Sequence, residues 1–348
     1  MTQAISKLTI KGYKSIRSLE NFELRNLNIL IGPNGAGKSN FIEFFRILEE
    51  ISKGQESLDH YVNDMGGADR LLFLGSKVTP LAEVVIWTAD ACTHFDLKAT
   101  KVNKLEYLQR VVTETSGLDH AGRNAKLDSL LQEIYRDHRF YHFHDTSDFA
   151  AVKRPCSKRD YEYLRSDASN LTAFLLRLKK KHRREYTSIR EVIQLAAPFF
   201  DDFWLREEED KDDILLEWRQ KESDYPFHPS QISDGTLRFI CLATALLQPN
   251  PPSTILLDEP ELGLHPYALA VLAGLIQKAC ARTQVIVSTQ SAALIDHFQP
   301  EDIVIVERQN GESIFRRLNK TGLKVWLDDY SLGELWQMNV IGGRPARA

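Results

Sequence analysis

The feature that most restricts the fold is the segment ILIGPNGAGKSN, residues 29–40. Three apolar residues end a strand, a glycine-rich loop follows, and Phe41, Phe44, Phe45 and Leu48 recur at helical spacing directly after it. A strand that leads through a short loop into a helix is the first half of a unit built around parallel strands. The sequence therefore predicts an α/β protein.

The same segment predicts a nucleotide site, because it satisfies the pattern G-x-x-x-x-G-K-S in the strand-loop-helix setting that this pattern requires. Backbone N–H groups of such a loop turn toward phosphates, and the helix N-terminus adds partial positive charge. Lys38 is predicted to reach the β- and γ-phosphates, and Ser39 to bind Mg²⁺. The residues predicted to contact the nucleotide here are Gly32, Pro33, Asn34, Gly35, Ala36, Gly37, Lys38, Ser39 and Asn40.

Bulk composition narrows the class of protein. A net charge of -4 in 348 residues argues against a chain that coats nucleic acid by charge alone, although it leaves room for a local basic groove. The 4 cysteines are scattered singly, which is typical of reduced thiols in the cytoplasm. We find no signal peptide and no apolar stretch long enough to cross a bilayer. A soluble, cytoplasmic protein without a membrane partner is predicted.

A second group of motifs lies between residues 231 and 259. In QISDGTLRF, Ser233 is predicted to cap a helix that Asp234 and Gly235 open, and the simplest interpretation is an ordinary capped helix. In STILLDE, an apolar strand ends in Asp258 and Glu259. One interpretation is a solvated strand end before a turn. The other is a role at the nucleotide: Asp258 and Ser39 would both be Mg²⁺ ligands, and Glu259 would be the general base.

The order of these motifs resembles that of RecF/SMC-like ABC ATPases, in the group of AAA-type predicted ATPases related to the ATPase half of OLD-family proteins. The resemblance is carried by GPNGAGKSN, SDGTLRF, LLDEPELGLHP and VIVSTQS, with further similar blocks in GGADRLLFLGSK and YHFHDTSDF. It implies an ABC-type P-loop head with a mixed or parallel sheet, an N-terminal antiparallel β-subdomain and a helical insertion. ATP and Mg²⁺ are the implied ligands.

The resemblance also implies a head-to-tail homodimer that sandwiches two ATP molecules. Ser233, Asp234 and Gly235 of one subunit would then close over the γ-phosphate that the other subunit's loop holds. The chain is predicted to divide into an N-terminal ATPase lobe (1–120), a helical insertion (121–200) and a C-terminal ATPase lobe with a terminal cap (201–348). Heptad coiled coils are missing from the insertion, and only about 40 residues follow the last ATPase strand, too few for a nuclease domain.

Gln290, in VIVSTQS, stands where the resemblance implies a histidine. A glutamine amide can donate a hydrogen bond to a γ-phosphate oxygen, but it cannot carry a proton or a positive charge. We therefore hypothesise that Gln290 preserves ATP sensing and lowers turnover, while neutral drift at a dispensable position is the alternative. Glu259 and Gln290 are the predicted catalytic residues.

Two functions from different classes remain open at this point. The first is a Mg²⁺-dependent ATPase that acts on double-stranded DNA, in repair or in defence against foreign DNA. The second is a slow, ATP-dependent regulatory scaffold that sequesters or licenses a separately encoded effector such as a nuclease. The basic run KKKHRR (179–184) either tracks a phosphate backbone or forms a solvated helix face.

Two further patterns allow a metal site, each beside a simpler interpretation. His142 and His144 are expected to alternate along one strand, where with Asp145 they would bind metal or pack within a core. Cys92 and His94 alone make no site. Near the C-terminus, a carboxylate cluster in LKVWLDDYSLGELW is less expected than an amphipathic cap with Trp326 and its apolar neighbours packed inward or against a partner.

Overall fold

The computed structural model describes residues 4–89, 91–114, 138–208 and 210–343. The chain forms two compact units. The first comprises Met1–Phe140, Pro252–Leu256 and Thr283–Ala348, and the second comprises Tyr141–Pro251 and Leu257–Arg282. Each unit is described separately below.

The strands are numbered in chain order. They are β1 (Lys7–Tyr13), β2 (Ile16–Glu23), β3 (Leu27–Ile31), β4 (Leu81–Trp87), β5 (Ala91–Ala99), β6 (Leu105–Glu114), β7 (His138–Tyr141), β8 (Cys156–Ser157), β9 (Phe200–Trp204), β10 (Asp213–Ile214), β11 (Glu217–Gln220), β12 (Thr254–Asp258), β13 (Gln284–Thr289), β14 (Ile303–Gln309) and β15 (Glu312–Arg317).

The helices are numbered in the same way. They are α1 (Lys38–Lys53), α2 (Gln55–Asp64), α3 (Ala68–Leu71), α4 (Leu171–Lys181), α5 (Arg183–Ala196), α6 (Asp234–Leu247), α7 (Pro266–Ala279), α8 (Ala292–Ile295), α9 (Lys320–Leu327) and α10 (Leu332–Gln337). Within the described ranges, no helix combines the length and the apolar character needed to cross a membrane.

Two sheets organise the first unit. An antiparallel sheet has the order β2-β1-β4-β5-β6, and a six-stranded sheet has the order β15-β14-β3-β13-β12-β7. In β4, buried and half-buried residues alternate, as expected for a strand with one face on a core. The predicted antiparallel β-subdomain beside a mixed sheet is therefore confirmed.

The phosphate-loop strand β3 lies inside the six-stranded sheet. It runs parallel to both β13 and β14, and Ile31 at its end pairs with Thr289 at the end of β13. The carboxyl ends of parallel strands meet at one edge of a sheet, which is where such folds bind ligands. Sheet register alone therefore brings the residues after Ile31 and after Thr289 close together.

Helix α1 is held to the first unit by its apolar face. The predicted stripe Phe41, Phe44, Phe45 and Leu48 is 0–1% exposed and belongs to the main core cluster. Full burial of each such side chain contributes about 1.5–3 kcal/mol. The start of α1 is thus fixed by packing along its length.

The second unit is mainly helical. Helices α4 and α5 follow each other directly and pack together, and α6 packs against both α5 and α7. Two short ribbons, β8 with β10 and β9 with β11, complete it. Trp218, in the ribbon of β9 and β11, stacks on Phe227, with the two ring centroids 4.9 Å apart.

Two sequence predictions need correction. Strand β7 ends at Tyr141, so His142 and His144 lie in irregular chain rather than along a strand. Their rings nevertheless contact each other, with centroids 4.1 Å apart. In the terminal cap, Leu335 is fully buried, whereas Trp326 remains 45% exposed and α9 buries none of its residues. Inward packing is therefore wrong for Trp326, and packing against a partner stays a prediction.

The predicted boundary near residue 120 and the first part of the helical insertion, 121–137, lie outside the described residues. The division of the chain at 120 and 200 stays a prediction.

Candidate functional site

The phosphate loop occupies the turn between β3 and α1. Gly35 and Gly37 adopt φ values of 75° and 112°, a region that disfavours side chains with a Cβ. Lys38 is 5% exposed, and its Nζ donates to the carbonyl oxygens of Gly32 (2.7 Å) and Pro33 (3.2 Å). The ammonium group therefore already lies over the loop that the sequence assigns to phosphates.

Two residues of the β14–β15 hairpin donate hydrogen bonds to carbonyl oxygens of this loop. Nη1 of Arg308 donates to the Gly35 carbonyl at 3.2 Å, and Oγ of Ser313 donates to the Ala36 carbonyl at 2.5 Å. Ser313 Oγ also lies 2.7 Å from Oγ of Ser15, in the turn between β1 and β2. Sequence reasoning missed these residues, since no local pattern links positions nearly 300 residues apart.

Gln290 and the phosphate loop line one cavity of about 720 Å³. The structure thus brings Gln290 together with Gly32, Pro33 and Asn34, as the register of β3 and β13 requires. The other lining residues are Glu307, Arg308, Gln309, Trp336, Asn339 and Gly343. The geometry places an amide beside the loop, and the catalytic role of that amide stays a prediction.

The acid pair lies at the carboxyl end of β12, within the second unit. Oδ1 of Asp258 is buried and accepts no hydrogen bond from any described residue. A buried carboxylate oxygen without a donor fits a cation ligand, because burying charge unpaired is costly. Glu259 has φ 42°, a left-handed conformation that is uncommon for a residue with a side chain and that concentrates at functional sites.

The predicted signature begins α6 as expected. Ser233 is the N-cap, and its Oγ accepts from the Thr236 N–H at 3.3 Å. Asp234 lies beside the ammonium of Lys153, with Nζ and Oδ1 3.8 Å apart, and the Lys153 side chain is 5% exposed. Gly235 lies directly against the backbone of Gly263. The helix start is therefore built into its surroundings rather than projecting freely.

Arg238, one turn into α6, joins two stretches of backbone through three carbonyl oxygens. Its Nε donates to the Phe143 carbonyl at 2.9 Å, its Nη2 to the His144 carbonyl at 3.0 Å, and its Nη1 to the Leu262 carbonyl. Burial lowers the pKa of this guanidinium below its usual value. Sequence reasoning missed Arg238, although a lone arginine in the apolar run LRFICLATALL could have signalled it.

His144 extends the same cluster to the acid pair. Its Nε2 lies 2.8 Å from the carbonyl oxygen of Asp258. A carbonyl only accepts hydrogen bonds, so Nε2 must carry the hydrogen in this contact. Among the described residues, no three His, Cys, Asp or Glu side chains converge to hold a metal, and this histidine contacts backbone instead.

The basic run 179–184 is partly neutralised. Lys179 pairs with Asp202 at 3.3 Å, and Lys180 pairs with Glu207. Exposed ion pairs of this kind contribute little to stability, but they reduce the positive field available to a phosphate backbone.

A G-x-x-x-x-G-K-S loop at the carboxyl end of a parallel strand, with the end of the neighbouring strand beside it, defines a P-loop nucleotide-binding protein. Two family profiles match the sequence. The family described as "AAA domain, putative AbiEii toxin, Type IV TA system" matches residues 107–296, and the "AAA ATPase domain" family matches residues 4–197. Each covers more than half of the chain, so the protein belongs to these AAA-type ATPase families.

Solved structures show the same fold. An Smc head bound to the C-winged helix domain of ScpA is similar with a TM-score of 0.62 and 17% identity, covering 92% of this chain and 99% of that one. An Smc head with an extended coiled coil, bound to the C-terminal domain of ScpA from Pyrococcus furiosus, has a TM-score of 0.60 and 16% identity, covering 94% and 99%. No protein of curated function matched the sequence. The predicted ABC-type fold and the resemblance to SMC- and RecF-like ATPases are confirmed.

Proposed function

We propose that this protein binds ATP on its phosphate loop and hydrolyses it slowly, as a head-to-tail homodimer that sandwiches two nucleotides. The observation that carries the proposal is the cavity shared by the phosphate loop and Gln290, with Lys38 folded over the loop. Membership of two ATPase families supports the same activity.

The first unit is proposed to hold the nucleotide. Lys38 would exchange its two carbonyl contacts for β- and γ-phosphate oxygens, which are stronger, charge-assisted acceptors. Ser39 is proposed as a ligand of the accompanying Mg²⁺. In the second unit, Oδ1 of Asp258 is proposed as a cation ligand because no described residue donates to it. When bound, Mg²⁺ supplies neutralisation of phosphate charge.

Glu259 is proposed as the general base that orients and deprotonates the attacking water. Gln290 would donate to a γ-phosphate oxygen without supplying a proton, which is the basis for slow turnover. Residues 233–235 of the partner copy would close over the γ-phosphate, with the N-terminus of α6 contributing its partial positive charge.

The proposal is tested with Glu259→Gln, which removes the base while preserving size. In light scattering with Mg-ATP, this variant should accumulate as a dimer, because ATP binds but is not consumed. The double variant Lys38→Ala/Glu259→Gln is the control and should remain monomeric. A Glu259→Gln protein that stays monomeric with Mg-ATP contradicts the sandwich.

Action on double-stranded DNA, in repair or in defence, is the first functional context proposed. Steady-state ATP turnover with and without linear double-stranded DNA at low salt tests it. Stimulation of about tenfold or more that fades with added salt supports a nucleic-acid substrate. The proposed contact with DNA is the basic run 179–184.

A slow regulatory scaffold for a separately encoded effector is the second context, and one observation favours it. Helix α9 buries none of its residues, and it exposes 81% of Val325 beside the 45% exposed Trp326. An apolar helix face in solvent fits contact with another protein. Turnover that is slow and indifferent to DNA supports this second context.

A further inference from the structure

One cluster within the second unit joins two motifs that the proposed function assigns to different nucleotides. The signature start, residues 233–235, is proposed to act on the partner's ATP. The acid pair, Asp258 and Glu259, is proposed to act on the copy's own ATP. The contacts between them are made by Arg238 and His144.

The link begins at Arg238, which is 8% exposed. Its position on α6 is one turn after Asp234, so it moves with the signature start. Its three nitrogens donate to carbonyls of Phe143, His144 and Leu262. A planar guanidinium holds such a set of acceptors in one geometry, which a lysine cannot do.

Two of the residues whose carbonyls Arg238 binds, Leu262 and His144, also contact the acid pair. Leu262 belongs to the turn that follows the pair, where its N–H donates to the Glu259 carbonyl at 3.3 Å. On the other side, the ring of His144 donates to the Asp258 carbonyl at 2.8 Å. The backbone on each side of Asp258 and Glu259 is therefore tied to α6.

Close packing makes the connection stiff. Gly235 lies against Gly263 with no room for a side chain, and Gly263 has φ 74°. A displacement of the signature start cannot be absorbed at this contact without moving the turn after the acid pair, because packed interiors transmit strain.

We propose that Arg238 and His144 are positioning residues that link the signature start to the acid pair within one copy, so that closure over the partner's ATP sets the acid pair for the copy's own ATP. This inference rests on the proposed function. In a head-to-tail dimer it makes the two nucleotide sites hydrolyse cooperatively.

The test is Arg238→Lys, which keeps the charge and the aliphatic stem but cannot hold three carbonyls. Arg282→Lys is the matched control, because Arg282 also donates to backbone carbonyls, those of Leu246 and Gln248 at the other end of the same helix. Initial rates of ATP hydrolysis are measured over a range of ATP concentrations, together with the melting temperature.

For wild type, two coupled sites give a Hill coefficient approaching about two. Arg238→Lys should lower kcat about tenfold to a hundredfold, leave the ATP concentration at half-maximal rate within about twofold, and bring the Hill coefficient near about one. Arg282→Lys should keep the wild-type rate and cooperativity. His144→Ala should repeat the Arg238→Lys result, with His142→Ala as its control.

A wild-type kcat and Hill coefficient in Arg238→Lys would overturn the inference, and so would an equal loss in Arg282→Lys. The measurements distinguish a failure of the proposed function from a failure of the link through Arg238. Wild-type protein that neither hydrolyses ATP nor dimerises refutes the proposed function, whereas cooperative wild-type turnover that survives Arg238→Lys refutes only the link.

Discussion

Gly235→Ala tests how tightly the signature start is built into the second unit. A Cβ added at Gly235 would lie 2.3 Å from the carbonyl oxygen of Gly263, whereas ordinary contacts begin near 3.4 Å. Main chain would have to move by about 1 Å, because neither atom belongs to a flexible side chain. Overpacking of this kind costs about 1–3 kcal/mol. We expect Gly235→Ala to lower the free energy of unfolding by about 3 kcal/mol, since Arg238 holds the opposing turn through the Leu262 carbonyl.

Gly274→Ala is the matched control for that substitution. Gly274 lies within α7, and nothing lies within 4 Å of its added Cβ, so alanine should stabilise the helix by about 0.5–1 kcal/mol. At about 1–2 °C per kcal/mol for a chain of 348 residues, Gly235→Ala should lower the melting temperature by roughly 3–6 °C, and Gly274→Ala should raise it slightly. Tryptophan fluorescence follows the transition. Equal melting temperatures for Gly235→Ala and wild type would refute the reasoning.

Two further predictions concern single side chains. Burial raises the pKa of Cys241 to about 12, so at pH 8 very little of this thiol is the reactive thiolate. Iodoacetamide followed by mass spectrometry should modify Cys241 only after unfolding in urea, while labelling of native Cys241 as fast as half-buried Cys280 would contradict its burial. Gln290→His should raise the hydrolysis rate, because the imidazole can carry a proton that the amide cannot; a rate within about twofold of wild type removes the basis for a slow switch at this position.

Sequence reasoning succeeded where local chemistry decides the outcome. The N-cap Ser233 and helix α6 follow from a hydroxyl placed before an apolar run. The parallel pairing of β3 with β13 and β14 fits the prediction from a strand that leads through a short loop into a helix. The phosphate loop follows from a pattern of glycines with a lysine.

The remaining features depend on contacts between distant parts of the chain. Periodicity places His142 and His144 on a strand, but β7 ends at Tyr141, and the carbonyls of Phe143 and His144 accept hydrogen bonds from Arg238. The support of Ala36 by Ser313 likewise has no local signature. Hydrogen-bond partners that are distant in sequence can be predicted only when the arrangement of the strands and helices is known.

The position of β3 between β13 and β14 has a consequence for synthesis of the protein. The loop that follows β3 begins at Gly32, yet both strands that flank β3 come from residues 284–309, and Ser313 comes later still. A nascent chain therefore carries its phosphate loop without the neighbours that shape it until β13, β14 and β15 have been synthesised. Non-local pairing of this kind is slow to form. We expect ribosome-bound chains to gain nucleotide binding in close to a single step, only after β15 has left the exit tunnel.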